Sequence, residues 1–231
     1  MDILKKHTQK TYSIIHSLYT EDFEKNYENF HFVDDLFKLL KLHKLQKYPI
    51  VDLGSGPGNV VDYILKKEHP VLPIVAVDFE KNFYEKLKRK YLKLDKVKVV
   101  HEDMLEFTAR QKIDSIGAYI ASYSLIHIPD LEIDELFLFI NRSLAKNGLF
   151  LFSCYRGTEK GLEQEPYQVY RDTRLHHSET LLIYMNYFSE KELRNKLRKA
   201  GMDILKMEIF PSSGKLFDFP YKKIWLIAEK I

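Results

Sequence analysis

The sequence predicts an α/β fold built on a doubly wound, mostly parallel sheet. Short apolar runs alternate with amphipathic segments through the middle of the chain, which indicates strands alternating with helices. The apolar runs contain few polar residues, as is typical of parallel strands covered by helices on both faces. The last two apolar runs have only an irregular connection between them, so we expect an antiparallel hairpin there.

Each element is predicted from its local pattern. Asn147-Gly148 is predicted to end the fourth helix, and Ser189 with Glu192 forms an S-x-x-E capping box at the start of the fifth. The predicted helices occupy 30–45, 59–67, 80–92, 133–146 and 189–201. The predicted strands occupy 48–53, 72–79, 96–103, 114–124, 149–155, 203–210 and 224–229. The last connection contains Pro211, Gly214 and Pro220.

Composition limits the function classes. The chain has 231 residues, and its net charge of +3 is too small to indicate nucleic-acid binding by itself. One cysteine, Cys154, excludes an internal disulfide. No apolar run approaches the roughly 18 residues of a membrane span, and the first residues lack a secretory pattern. We therefore expect a cytoplasmic protein with one domain over residues 1–231.

A glycine-rich turn follows the first predicted strand in VDLGSGPGNV. Gly54, Gly56 and Gly58 lack Cβ atoms, so backbone N–H groups at the carboxyl edge of the sheet are open to an anionic ligand. A dinucleotide fingerprint, G-x-G-x-x-G, requires its third glycine at the position of Asn59. A turn without any ligand is the alternative.

Two acids follow the next two predicted strands. Asp78 could accept hydrogen bonds from a ribose diol, and Asp103 from an adenine amino group. Phe79, beside Asp78, could line an adenine ring or belong to the core. Alternatively, Asp78 caps the following helix and Asp103 is an ordinary loop acid.

These segments together resemble a known family. The segments that resemble the ordered motifs of class I S-adenosylmethionine-dependent methyltransferases are VDLGSGPGNV, VAVDFE, VHEDMLEF, ASYSLIHIP and LAKNGLFLFS. The resemblance covers roughly residues 10 to 230. It implies a Rossmann-like sheet of seven strands with the last one antiparallel and helices on both faces. It also implies S-adenosylmethionine as the cofactor, S-adenosylhomocysteine as the product, and transfer of the methyl group to a small molecule.

The resemblance assigns roles to particular positions. It implies that Asp52 contacts the methionine amino group, Asp78 the ribose hydroxyls and Asp103 the adenine amino group. YSIIHSLY resembles a lid motif of small-molecule members and implies that Tyr19 covers the cofactor. Tyr12 is left open, because the segment departs from that motif at His16. The remaining implied cofactor contacts are Gly54, Ser55, Gly56, Phe79, Met104, Ala121 and Ser122.

The substrate side is predicted less directly. In-line displacement at a sulfonium methyl group depends mainly on alignment of the nucleophile. His127 is the candidate general base, with a pKa expected near neutrality. Its alternative role is a hydrogen bond to loop backbone.

Residues 155–188 are too long for an ordinary loop, so we expect a substrate-side insertion there and a helical lid at 1–45. The candidate substrate contacts in the insertion are Tyr155, Arg156, Arg171, Arg174 and His176. An extra strand or helix with a solvated charged face is the alternative. His176-His177 has no further ligand at metal spacing, so no metal is predicted.

Other functions remain open at this point. A nicotinamide-dependent oxidoreductase would also explain the glycines and Asp78. RNA methylation is suggested by the basic stretch at 81–98, although its aromatic residues share the inner face of a helix and are expected in the core. A cofactor-binding protein without activity is a further possibility. The acceptor and the oligomeric state are not determined by these motifs.

Overall fold

The computed structural model describes residues 2–67, 72–212 and 222–231. Gly214 and Pro220, from the predicted last connection, lie outside the described residues. The helices are α1 (Ile3–Phe23), α2 (His31–Leu42), α3 (Asn59–Lys66), α4 (Lys81–Lys90), α5 (Met104–Ala109), α6 (Asp130–Ser143), α7 (Pro166–Val169) and α8 (Glu190–Lys199). The strands are β1 (Ile50–Leu53), β2 (Ile74–Asp78), β3 (Val97–His101), β4 (Ile116–Ser122), β5 (Leu144–Tyr155), β6 (Lys160–Gln164), β7 (Leu182–Asn186), β8 (Met202–Phe210) and β9 (Lys223–Lys230).

Seven strands form the main sheet in the order β3-β2-β1-β4-β5-β9-β8. The first five of these pair in parallel. β9 lies between β5 and β8 and runs antiparallel to both. The strand order reverses between β1 and β4, which is where ligands bind in open α/β sheets. The predicted fold class is confirmed, including the antiparallel last strand.

The sheet buries an apolar layer on each face. Ala118 and Ile120 of β4 enter the layer that also contains residues of α2, α3 and α4. Tyr119 and Ala121, which alternate with them, enter the layer shared with α5, α6 and α8. Because successive strand residues point to opposite faces, a strand buried on both sides must be apolar throughout. This explains the continuous apolar runs in the sequence.

The predicted end of the fourth helix is wrong. α6 ends at Ser143, and Leu144 is already extended and starts β5. The pairing of β4 with β5 then jumps from Ile116↔Leu144 to Ala118↔Leu149. Asn147 has a φ of 60° within this irregularity, a conformation that asparagine tolerates. Asn147-Gly148 therefore makes a bulge within β5, because burying Leu144 in the sheet stops the helix one turn earlier.

The segment 155–188 folds into a small second sheet with a short helix. β6 and β7 pair antiparallel outside the main sheet, and α7 lies between them in sequence. α1 packs on β7 through side-chain hydrogen bonds. The Thr11 hydroxyl donates to the Leu182 carbonyl at 2.7 Å, and the Tyr184 N–H donates to the Thr8 hydroxyl at 3.0 Å. The segment is therefore attached to the first helix of the chain.

α1 also spans the carboxyl edge of the main sheet. The side chain of Asp2 caps its N-terminus by accepting from the Leu4 N–H at 2.7 Å. Gln9 donates to the Phe79 carbonyl after β2 at 3.2 Å, and Lys5 pairs with Asp103 after β3 at 2.9 Å. The helix thus lies over the ends of the strands where the sequence placed the ligand contacts.

Candidate active site

The glycine turn after β1 serves both packing and access. Gly54 and Gly56 have φ of 70° and 50°. A Cβ on Gly54 would lie 2.4 Å from the Ser124 Cβ, and one on Gly58 would lie 2.6 Å from the Tyr91 hydroxyl. A Cβ on Gly56 would meet only the Tyr19 ring, at 3.9 Å. The protein itself therefore fills the space at Gly54 and Gly58, and Gly56 is the glycine that leaves room for a ligand.

Two adjoining cavities meet at this turn. One has a volume of about 460 Å³ and the other of about 70 Å³. The residues that line both are Tyr12, Tyr19, Gly54, Gly56, Ser122, Tyr123 and His127. The positions predicted for the cofactor divide between them. Ser55 lines the larger cavity, and Asp78, Phe79, Asp103 and Met104 line the smaller one.

Asp52 and Ala121 are buried strand residues, and neither is among the residues that line the two cavities. Asp52 is 1% exposed, and neither of its carboxylate oxygens has a hydrogen-bond partner among the described residues. Burial raises the pKa of Asp52 to about 7, and the charge of Asp78 acts in the same direction. A buried carboxyl without a partner is costly unless a ligand compensates it. The ammonium group of S-adenosylmethionine would do so, so this position fits that cofactor.

Asp78 ends β2 and points to the glycine turn. Its Oδ2 accepts from the Gly56 N–H at 2.7 Å, and its Oδ1 accepts from the Glu80 N–H at 2.9 Å. Burial raises its pKa to about 7, although these main-chain N–H groups act in the opposite direction. Each carboxylate oxygen has a further lone pair that can accept from a hydroxyl group. The geometry therefore suits a diol held beside Gly56.

Asp103 has a partner that the sequence did not reveal. Its Oδ1 accepts from the Leu105 N–H at 2.8 Å and caps α5, while its Oδ2 pairs with Lys5 at 2.9 Å. Lys5 also contacts Glu132 and is buried. No local pattern links Lys5 to an acid 98 positions away. This contact depends on how α1 crosses the sheet.

His127 is held on both sides of its ring. A carbonyl oxygen can only accept, so Nδ1 carries the hydrogen and donates to the Tyr184 main-chain oxygen at 2.8 Å. Nε2 is then the acceptor for the Tyr12 hydroxyl, at 2.9 Å. Burial lowers the pKa of His127 to about 4. The expected pKa near neutrality is wrong, because α1 and β7 cover the ring.

Four of the five predicted substrate contacts lie away from the larger cavity. Tyr155 lines it. Arg156 pairs with Glu190 at 3.0 Å, and Arg174 pairs with Asp22 at 2.9 Å. Arg171 lines a separate surface pocket, and His176 is exposed. These three arginines and His176 are not among the residues that line the larger cavity, and their role in substrate binding stays a prediction.

The structure adds residues to the larger cavity that the sequence analysis left open or did not assign. Tyr12, Tyr123, Glu165, Tyr167 and Lys223 all line it. The pair Glu165-Pro166 could have predicted the start of α7 from sequence, because an acidic cap followed by proline is typical of a helix start. Lys223 comes from the last strand, and only the position of β9 next to β5 brings it here.

The described ranges contain neither a candidate metal site nor a candidate membrane span. Over 2–67, 72–212 and 222–231, no three His, Cys, Asp or Glu side chains gather in a way that could hold a metal ion. Over the same ranges, none of the helices combines the length and apolar character that a bilayer crossing requires.

Comparison with known proteins gives a family match over the centre of the chain. Residues 50–148 match the family described as a methyltransferase domain. This span runs from β1 to the bulge in β5 and includes the glycine turn, Asp78, Asp103 and His127. No curated protein matches the chain.

Solved structures share the fold at low identity. A 1,6-didemethyltoxoflavin N1-methyltransferase from Burkholderia thailandensis, with S-adenosylhomocysteine bound, has a TM-score of 0.63 at 16% identity, covering 100% of this chain and 91% of its own. A methyltransferase from Methanosarcina mazei has a TM-score of 0.63 at 15% identity, and the match covers 83% of this chain and 97% of the neighbour. A glycopeptide N-methyltransferase, MtfA, in complex with S-adenosylmethionine has a TM-score of 0.56 at 13% identity, and the match covers 85% of this chain and 87% of the neighbour.

Residues 50–148 therefore match a methyltransferase domain, and solved methyltransferases share the fold of the chain. Two of these neighbours hold S-adenosylhomocysteine or S-adenosylmethionine in their structures. The resemblance drawn from the sequence motifs is confirmed.

Proposed function

We propose that this enzyme transfers the methyl group to a small-molecule acceptor bound in the larger cavity. The observation that carries this proposal is the cavity of about 460 Å³ that adjoins the glycine turn. Its volume lies within the roughly 300–1,000 Å³ typical of small-ligand sites. Aromatic side chains dominate its walls, so it can exclude water from the reacting groups.

The cofactor would bind in the smaller cavity and against the glycine turn, and the smaller cavity would widen to hold it. Asp52 would compensate the methionine ammonium, Asp78 would accept from the ribose hydroxyls, and Asp103 would face the adenine amino group. Phe79 and Met104 would line the adenine, with the turn, Ala121 and Ser122 around the methionine part. S-adenosylmethionine supplies an activated methyl group on a sulfonium. These side chains bind and orient it.

We further propose that residues 1–45 act as a lid and that 155–188 form the acceptor-side insertion of a single domain. Tyr12 and Tyr19 of α1 line both cavities, which supports the lid. His127, neutral at physiological pH, would position Tyr12 by accepting its hydroxyl hydrogen. Its low basicity makes it a weaker candidate for direct proton removal.

The basic helix α4 offers little support for an RNA acceptor. Lys86 and Lys90 pair with Glu24 at 2.9 and 2.6 Å, and Lys90 also pairs with Asp62 at 2.6 Å. Phe83 and Leu87 of the same helix are buried. These lysines therefore neutralise acids of the chain itself, and we propose an acceptor that is not a nucleic acid. A cytoplasmic location remains part of the proposal, and buried Cys154 is compatible with it.

Thermal unfolding with S-adenosylmethionine, S-adenosylhomocysteine, NADH and no ligand tests the cofactor site. A ligand at about a hundred times its Kd adds roughly 2.7 kcal/mol, and each kcal/mol raises Tm by about 2–4 °C at this size. Both sulfur ligands should raise Tm and NADH should not. Asp78→Asn should remove most of the shift, whereas Asp203→Asn, at an exposed position, should keep it. A shift with NADH alone would overturn the assignment.

The acceptor proposal has its own test. The cofactor-saturated enzyme is incubated with separate small-molecule and RNA pools, and formation of S-adenosylhomocysteine is measured. Turnover with the small molecules that is lost on Tyr155→Ala supports the proposal, and turnover confined to RNA contradicts it.

A further inference from the structure

The larger cavity contains a carboxyl group that the proposed function leaves unused. Glu165 lines this cavity and is 2% exposed. Its Oε2 accepts from the Gln168 N–H at 3.2 Å, and its own N–H donates to the Leu181 carbonyl at 3.0 Å. These bonds tie Glu165 both to α7 and to the residue before β7. The carboxyl group is therefore held in one place on the cavity wall.

Glu165 forms no ion pair with any residue in the described part of the chain. Two other acids of the cavity wall are paired, Asp22 with Arg174 at 2.9 Å and Glu28 with Lys223 at 3.0 Å. No lysine or arginine within the described ranges pairs with Glu165. Burial raises its pKa to about 7, although the N–H groups of Tyr167 and Gln168 act against this. A cationic ligand would supply the missing charge.

The walls around Glu165 are tyrosines. Tyr12, Tyr155 and Tyr167 line the same cavity. The Tyr12 hydroxyl donates to His127, and the Tyr167 hydroxyl donates to Asp22 at 2.9 Å. Both side chains are thereby anchored through their polar ends. The faces of tyrosine rings attract ammonium groups, and this attraction is strongest where water is excluded.

We propose that the acceptor is an amine and that Glu165 binds its N–H group among Tyr12, Tyr155 and Tyr167. This inference rests on the proposed function, since it assumes that the larger cavity holds the acceptor. It goes further by naming the chemical class and the residue that recognises it.

The position of Glu165 in the cavity also provides an acceptor for the proton that the amine must lose. A basic amine enters as an ammonium ion, which has no lone pair for attack. Its proton passes to the Glu165 carboxylate, and the freed lone pair forms the new C–N bond while the C–S bond breaks and leaves its electron pair on sulfur. The amine thus gains a methyl group and the cofactor becomes the neutral thioether product.

Ligand binding, without turnover, tests this assignment. The probes are benzylamine, benzyl alcohol and benzoate, titrated by calorimetry into protein saturated with S-adenosylhomocysteine. Wild-type protein should bind benzylamine about 10-fold more tightly than benzyl alcohol, as expected for one charge-assisted hydrogen bond, and benzoate least. Glu165→Gln should abolish this preference. Its amide oxygen can still accept from the Gln168 N–H, so the start of α7 is retained.

Glu179→Gln is the matched control, because Glu179 lies on the same insertion but is exposed and paired with Lys10. It should keep the amine preference. The inference is overturned if wild-type protein shows no preference, or if Glu165→Gln retains it. A third outcome also overturns it. In that outcome Glu165→Gln keeps the amine preference and weakens binding of S-adenosylmethionine but not of S-adenosylhomocysteine, because Glu165 would then interact with the positive sulfonium of the cofactor.

The unfolding shift with S-adenosylhomocysteine is measured first on the same samples. A shift without any amine preference defeats only the acceptor class and leaves the methyltransferase proposal standing. A missing shift defeats the proposed cofactor site, whatever benzylamine does.

Discussion

The smaller cavity takes its distinctive groups from strand ends, whereas the larger cavity takes its walls from α1, the 155–188 segment and β9. Asp78 ends β2 and Asp103 lies two residues after β3, and both are fixed by main-chain N–H groups. Tyr12, Glu165 and Lys223 come from three distant parts of the chain. Local sequence therefore determines the groups of the smaller cavity, the proposed cofactor site, while the walls of the larger cavity, the proposed acceptor site, depend on long-range packing. For this reason, sequence motifs predict groups of the smaller cavity more readily than those of the larger one.

A substitution in the glycine turn beside the smaller cavity should have the largest effect on stability. Gly54→Ala places a Cβ 2.4 Å from the Ser124 Cβ at a φ of 70°, so clash and backbone strain act together. We expect a loss of about 3–5 kcal/mol in the free energy of unfolding, measured by urea denaturation. Gly161→Ala is the control, because nothing lies within 4 Å of a Cβ there. Equal effects of the two substitutions would show that the turn is not tightly packed.

Lys5→Met tests the connection between α1 and the cofactor side. Lys5 pairs with Asp103 and Glu132 in a buried position, and its removal leaves two carboxylates without their cation. We expect a loss of about 3 kcal/mol, at the low end for breaking a buried ion pair because both acids reach some solvent. The matched control is Lys10→Met, whose exposed pair with Glu179 should contribute less than about 1 kcal/mol. Similar denaturation midpoints for the two variants would contradict this reading of α1.

The buried acids of the cofactor side should make stability depend on pH. The pKa of Asp52 is about 7 in the folded protein and near 3.8 in the unfolded chain, so the folded state binds more protons between these values. Stability contributed by Asp52 is therefore complete below about pH 4 and is lost as pH rises toward 7. Asp52→Asn should gain stability over wild type across this window, by about 1–3 kcal/mol at its upper end.

The check is chemical denaturation at closely spaced pH values. Because His127 has a lowered pKa, its own contribution changes in the opposite direction, and only the difference between variant and wild type isolates Asp52. Bound S-adenosylhomocysteine should shrink that difference, since its ammonium favours the ionised carboxyl. A difference that stays constant with pH would show that Asp52 is already ionised.

The smallest expected effect lies on the acceptor side. Tyr12→Phe removes the hydroxyl that donates to His127 Nε2 at 2.9 Å and leaves that nitrogen without its partner. We expect a loss of about 1 kcal/mol in stability. The pKa of His127, followed by NMR, should change from its low value while the Tyr184 contact persists. An unchanged titration would mean that burial alone sets this pKa.

The difference between the two cavities explains which parts of the fold and the site could be predicted from the sequence. The apolar runs of β1, β2 and β4 are buried on both faces, so their pattern identified the sheet correctly. Gly56, Asp78 and Asp103 stand beside strand ends, and strand position alone placed them at the cavity. The sequence did not reveal the ion pairs of Arg156 and Arg174, because their partners, Glu190 and Asp22, belong to other elements. Glu165 and Lys5 acquire their surroundings only after α1 and the hairpin pack on the sheet.

β9 is the last strand of the chain, yet both of its edges are covered, by β5 on one side and β8 on the other. During synthesis, β5 is therefore exposed to the cell with an unpaired edge while some seventy residues that follow it are still being made. Open strand edges of nascent chains promote aggregation, and pairings between distant segments form slowly. Lys223, on that same strand, also lines the larger cavity. The closed sheet and this part of the cavity wall are thus completed only after residues 223–230 have been synthesised.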